Sequence, residues 1–245
     1  MNEFVAKSSN WMGLYPNNTP GKFSHRIKVP ENIAVGVVSI KTTGEFFNIV
    51  KPEYITILKT KRIPDFQIVD RCKILPGYYP NACTIVDALN SSFGENRVHA
   101  VNEDRVVDGE TISKIVIRLP TEGVYQYCIK IDSEDLLKLL HLETCNPLTQ
   151  FGQTHITSSE FGHPGYPYDR VILYLEGIEY PLVGFRIDSA YHKIFNVPYY
   201  LIVPKSLYPM KEVKVYFKNE KGEIIGKRQG TVKIHFRYCN IPVRP

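Results

Sequence analysis

Alternation of apolar and polar side chains dominates this chain, and it predicts strands. Over residues 22–29, Phe23, His25, Ile27 and Val29 face one way and Lys22, Ser24, Arg26 and Lys28 the other, a half-buried strand closed by Pro30. Ala34–Ile40 is almost uniformly apolar, as an inner strand should be, and Tyr54–Lys59 follows the Lys51-Pro52 break. Phe66, Ile68, Cys72 and Ile74 then share a face, with Asp70 the polar residue on that side. Pro76-Gly77 ends this strand, and Pro80-Asn81 keeps the chain extended. Here the period changes. Ile85, Ala88, Leu89 and Phe93 recur at helical spacing, with Thr84 as expected N-cap, Asp87 three residues on, and Gly94 as expected C-cap.

Strands are expected again over 97–102 and 113–119, around an Asp104–Gly109 turn, and over 124–131. Ser133 should cap a second helix over 133–143, whose leucines at 136, 137, 139, 140 and 142 need cover. Further strands are expected at 170–175, 180–185, 199–203, 212–217 and 231–237, with a turn at 219–223. Two stretches lack a period. Residues 1–21 read as an N-terminal arm carrying Trp11 and Tyr15, and 144–169 as a long loop carrying Phe151, Phe161, Tyr166 and Tyr168. Long aperiodic segments are often functional or part of an interface, so these six aromatics are the candidate interface residues. No repeat, low-complexity tract or linker divides the rest, which reads as one domain over 22–245. Ten or more short strands with two helices in the connections predict an all-β sandwich of Greek-key or jelly-roll order.

Charge changes this picture at one end. Residues 193–245 hold 11 Lys/Arg against 3 Asp/Glu, a net +8, while residues 1–192 hold 19 against 22, a net −3. Lys214, Lys218, Lys227, Arg228, Lys233 and Arg237 alternate with apolar residues and form a candidate basic surface that includes Tyr216. Such a face suits a phosphate backbone, but lysines also protect edge strands from aggregation, which is the simpler reading. The five cysteines show no paired spacing, and Cys72 and Cys128 read as core residues. No apolar run approaches the ~20 residues of a membrane span, and the first residues lack the pattern of a signal peptide. A reducing intracellular compartment is therefore expected.

Candidate chemistry is sparse. His155, His163, Glu160 and Asp169 share the long loop and are the nearest approach to a metal or acid–base cluster, but without the close ligand pairs of a zinc site. Phosphate-binding, zinc-protease, dinucleotide and nucleophile-elbow motifs are missing from the sequence. No catalytic residue, metal ligand or cofactor is expected.

The order of features nevertheless resembles a known group. Lys22–Val29, then an apolar strand, then Ile74, Pro76, Gly77, Tyr79 followed by Val86, Ala88, Leu89 and Asn90, is similar to small capsid proteins of the Polinton/adintovirus and virophage-like lineages. In those proteins an I-x-P-G-x-Y stretch often precedes a short helix ending in a V-x-A-L-N-like sequence. The 133–143 helix resembles the one that often follows, although the Leu-Gly-Phe ending is missing here. The likeness covers about residues 22–142. It implies a single jelly-roll, penton-like vertex protein of a double-stranded DNA virus: a virion component, a homopentamer beside the major capsid protein, with at most weak nonspecific contact with DNA. A non-viral β-sandwich recognition module for nucleic acid, sugar or protein is the alternative.

Overall fold

A computed structural model of the chain describes residues 2–8, 21–23, 32–95, 98–187, 192–195, 199–208, 212–228 and 230–241. It is an all-β structure with two short helices. It divides into two compact units, Met1–Val50 with Tyr168–Pro245, and Lys51–Pro167 nested between those halves.

The first unit begins with β1 (Asn2–Ser8), β2 (Gly21–Phe23) and β3 (Ile33–Thr42). The second contains β4 (Glu53–Thr60), β5 (Gln67–Ile74), α1 (Ala82–Phe93), β6 (His99–Val107), β7 (Glu110–Arg118), β8 (Thr121–Glu122), β9 (Tyr125–Ile131), α2 (Glu134–Leu139) and β10 (His155–Thr157). The chain then returns to the first unit as β11 (Arg170–Leu175), β12 (Val183–Arg186), β13 (His192–Ile194), β14 (Leu201–Ile202), β15 (Glu212–Val213), β16 (Val215–Lys218), β17 (Ile224–Ile225) and β18 (Val232–Asn240).

In the first unit a sheet runs β13-β3-β18-β1-β2-β15, with β14 also on β3, and a second runs β12-β11-β16-β17. Ile33, Val35, Val37 and Ile40 of β3 are buried with Ile234 and Phe236 of the neighbouring β18. Thus β3 is the inner strand its apolar run predicts. Within the expected arm of residues 1–21, β1 joins this sheet. Phe4 and Ala6 are buried, and the Phe4 ring stacks on Phe236 with centroids 4.9 Å apart. Its seven residues match β18 one for one, from Asn2↔Tyr238 to Ser8↔Val232. In the other sheet Val171, Leu173 and Leu175 turn inward, and Phe217 packs edge-on against Phe46 and Phe185.

The second unit has sheets β5-β4-β9-β8 and β10-β7-β6. α1 starts earlier than Thr84. Asn81 is the N-cap, its side chain accepting from the Thr84 N–H at 3.0 Å, while Thr84 occupies the third helical position and answers in a capping box. A carboxamide two residues after the Tyr78-Tyr79 pair, and one after Pro80, does the work expected of the hydroxyl. Gly94 is the C-cap, at φ 55°, its N–H returning to the Asn90 carbonyl. Ile85, Val86, Leu89 and Phe93 are buried.

β5 departs from its alternation. Cys72 and Ile74 are buried, but Ile68 is 73% exposed. The register against β4 shifts between Ile57 and Leu58, so Ile57 faces Asp70 and Leu58 faces Ile68. Val69 is the extra residue of a bulge, and an edge strand bulged there carries its first half outward. The expected 104–109 turn is tighter: β6 runs to Val107, and Asp108 and Gly109, both at positive φ (51° and 83°), make a two-residue hairpin loop. Ser133 caps α2 as expected, but the helix stops at Leu139 and His141 adopts φ 53°. The long aperiodic segment is partly ordered, with a 3-10 turn at Pro147–Gln150 and β10 paired to β7.

Candidate interface surfaces

Of the six candidate interface aromatics, Trp11 and Tyr15 lie outside the described residues. Phe151 is 44% exposed after the 3-10 turn, and Tyr166 stacks on Tyr78 with centroids 6.3 Å apart. The other two belong to cores instead. Phe161 is buried, stacks face to face with His141 at 4.3 Å, and bridges to Ser113 of β7. Tyr168 is buried, and its hydroxyl donates to the Phe47 carbonyl at 2.5 Å. Aromatics in an aperiodic stretch looked like contact residues because no local pattern reveals a core partner far along the chain.

The loop's polar residues do not converge either. Glu160 pairs with Arg105 and approaches Lys114 at 3.9 Å, and His163 Nδ1 accepts from the Gly165 N–H at 2.9 Å. Asp169 belongs to the other unit. Among the described residues, no group of three or more His, Cys, Asp or Glu could hold a metal ion, and no helix is long and apolar enough to cross a membrane. Cys72 and Cys128 are buried, as their strand positions suggested. Burial pushes the Cys72 thiol up to about 11 and the Cys145 thiol to about 12, which suppresses the reactive thiolate.

The expected basic surface is divided. Lys218 ends β16 of the β12-β11-β16-β17 sheet, where it lies 4.9 Å from the Tyr174 ring centroid and Tyr174 stacks on Tyr216 at 5.3 Å, and Lys214 stands between β15 and β16, just outside either strand. Lys214 approaches Glu176 at 3.9 Å. Lys233 and Arg237 belong to β18 on the other sheet, and Arg228 is exposed beyond β17. Lys227 is not on a surface at all. It is fully buried, donates to the Gly44 carbonyl at 2.7 Å, and lies 4.3 Å from the Phe46 ring centroid. Burial lowers its pKa to about 8, against a smaller opposing pull from Glu45. A lysine following the apolar pair Ile224-Ile225 gave no sign of facing inward.

Sequence reading also missed the exposed apolar residues. Ile68 near the start of β5 and Leu75 just past its end are 73% and 60% exposed. In the first unit Tyr180, Ile194, Tyr199 and Ile202 are each at least 66% exposed, with Ile194 on β13 and Ile202 on β14, the strands that border β3. Tyr180 and Tyr199 also line a cavity of about 590 Å³ with Arg170, Ile172, Leu182 and Phe195. The signal available was weak alternation at 180–185 and 199–203, which predicted strands rather than surface. No family model, curated protein or solved structure matches the chain.

Proposed function

We propose that this chain is a structural capsid subunit, the penton-like vertex protein of an icosahedral double-stranded DNA virus or virus-like transposon, working as a homopentamer beside a major capsid protein. The observation that carries the reading is the junction from Ile74 to Asn90, where the residues behind the resemblance have architectural tasks. Tyr79 donates its hydroxyl to the Leu75 carbonyl at 2.9 Å. Val86 and Leu89 are buried on α1. Asn90 takes both backbone groups of Ala100, accepting from its N–H at 2.7 Å and donating to its carbonyl at 2.9 Å. Ser92 donates to the Lys73 carbonyl at 3.0 Å, so one short helix is tied to β5 and β6 together. A motif used to fix a rigid β unit suits a shell subunit better than a reaction centre. Exposed aromatic and aliphatic residues supply the kind of surface that subunit contacts bury.

Electron microscopy of the purified protein tests this. Rings of five-fold symmetry are expected, with the oligomer resistant to dilution. A protein that stays monomeric at high concentration, alone and with the major capsid protein of the same genome, would overturn the proposal.

A further inference from the structure

Register in the larger sheet of the first unit brings together lysines that are far apart in sequence. Lys233 of β18 lies directly opposite Lys7 on β1 and directly opposite Lys41 on β3. The same row continues in register to Lys22 on β2 and to His192 on β13. Lys7, Lys41 and Lys233 are exposed, on the face opposite to buried Ala6, Ile40 and Ile234. Among the described residues, none of the three has an ion pair or hydrogen bond through its side chain. The next two rows hold Ser39, His235 and Val5, then Gly36, Arg237 and Glu3. Glu3 is already engaged, accepting from Arg237 at 2.7 Å.

Like charges directly opposite on adjacent strands are destabilising, and a row of three is an arrangement that folding alone does not favour. Protection of a sheet edge does not explain it. β3, β18 and β1 are consecutive interior strands of the order β13-β3-β18-β1-β2-β15. With neighbouring strands about 4.8 Å apart, the three ammonium groups span about 10 Å, enough to meet successive phosphates of a nucleic-acid backbone. We infer that this face docks the phosphate backbone of nucleic acid, with Lys7, Lys41 and Lys233 as its contacts. The row beside the lysines holds Ser39, Val5 and His235, with Ile194 in line on β13, and the aromatic beyond it, Tyr200, is engaged with Arg237 rather than free to stack on a base. Binding through the lysines is therefore independent of sequence, and a duplex binds at least as well as a single strand, which would need stacking platforms. The inference deepens the expected DNA contact and rests on register and exposure, so ring formation and duplex binding succeed or fail independently.

The test is fluorescence anisotropy with a short labelled DNA duplex from about 50 to 200 mM salt. The wild type is compared with Lys7→Gln/Lys41→Gln/Lys233→Gln, with the same three positions changed to Arg, and with Lys214→Gln/Lys218→Gln just before the start and at the end of β16, outside the row. Three neutralised phosphates give a slope of about −2.7 in log affinity against log salt, and the triple Gln variant should lose most of it. The triple Arg variant should keep binding, and the Lys214/Lys218 variant should keep the slope that the row supplies. The triple Gln variant should melt no lower than wild type, since it relieves repulsion. Four results would overturn the inference: no duplex binding at the lowest salt, binding unchanged in the triple Gln variant, strong preference for single strands, or lysine-dependent binding to phosphatidylserine vesicles without binding to DNA.

Discussion

Replacing Lys227 with methionine tests the interior of the first unit more sharply than any surface change. The ammonium is buried with one carbonyl and one aromatic ring as its nearest partners. Its pKa falls from 10.5 to about 8 because burial disfavours the charged form. At about 1.4 kcal/mol per pKa unit, confining the charge costs about 3 kcal/mol relative to the unfolded chain. Below pH 8 both states are protonated and the full penalty applies. Between about 8 and 10.5 the native lysine is neutral while the unfolded one still holds its proton, so the native state gains stability as pH rises. Lys227→Met carries no such charge but leaves the Gly44 carbonyl without its donor, a loss of about 1–3 kcal/mol. The variant should therefore match or exceed wild type near neutral pH and fall behind it by about pH 10.5. Urea unfolding followed by circular dichroism across that range measures both profiles, and titrations common to the two proteins cancel in the difference. Parallel profiles would refute the reasoning, because they would mean that Lys227 keeps an ordinary pKa and hence contact with water.

Two further substitutions probe the other claims. Asn90→Ala strips the partners from both backbone groups of Ala100 and should cost about 1–3 kcal/mol in denaturant unfolding, with Asn90→Asp, which keeps only the acceptor, also destabilised; wild-type stability in both would detach α1 from β6. Phe4→Ala removes a ring that is 3% exposed and stacked on Phe236, and should cost about 3–5 kcal/mol; a neutral result by thermal melting would return β1 to the status of a loose arm.

What could be read from the sequence was local. The inner strand β3 was visible as an uninterrupted apolar run, α1 through its period and Gly94, and α2 through Ser133. Thr84 was expected to cap α1 alone, but Asn81 is the cap and only the fold shows that the two act as a reciprocal pair. The bulge at Val69 left one mark, Asp70 on the apolar side of β5, but a single polar residue on a strand face does not by itself locate an extra residue. Nesting of 51–167 inside the first unit was hidden for a related reason. The chain passes between units at Val50–Lys51 and Pro167–Tyr168, with no change of composition that would mark a linker.

The charged residues show why position along the chain is a poor guide to a surface. Six basic residues of the last third alternate with apolar neighbours, and local pattern alone assigns them one outer face. In the fold Lys227 turns inward to a carbonyl and a ring, Arg237 is engaged by Glu3, Lys218 belongs to a different sheet from Lys233, and Lys214 stands between strands of the two sheets. Of the six, Lys233 gains a new context from Lys7 and Lys41, at opposite sides of it and far away in sequence. Strand register is set by long-range pairing and a side-chain period of two, so a slip of one residue would have sent each of these lysines to the opposite face. The buried partners Ala6, Ile40 and Ile234 hold the register that lines the lysines up. The same hydrophobic burial that stabilises the sheet therefore holds three like charges side by side against their repulsion.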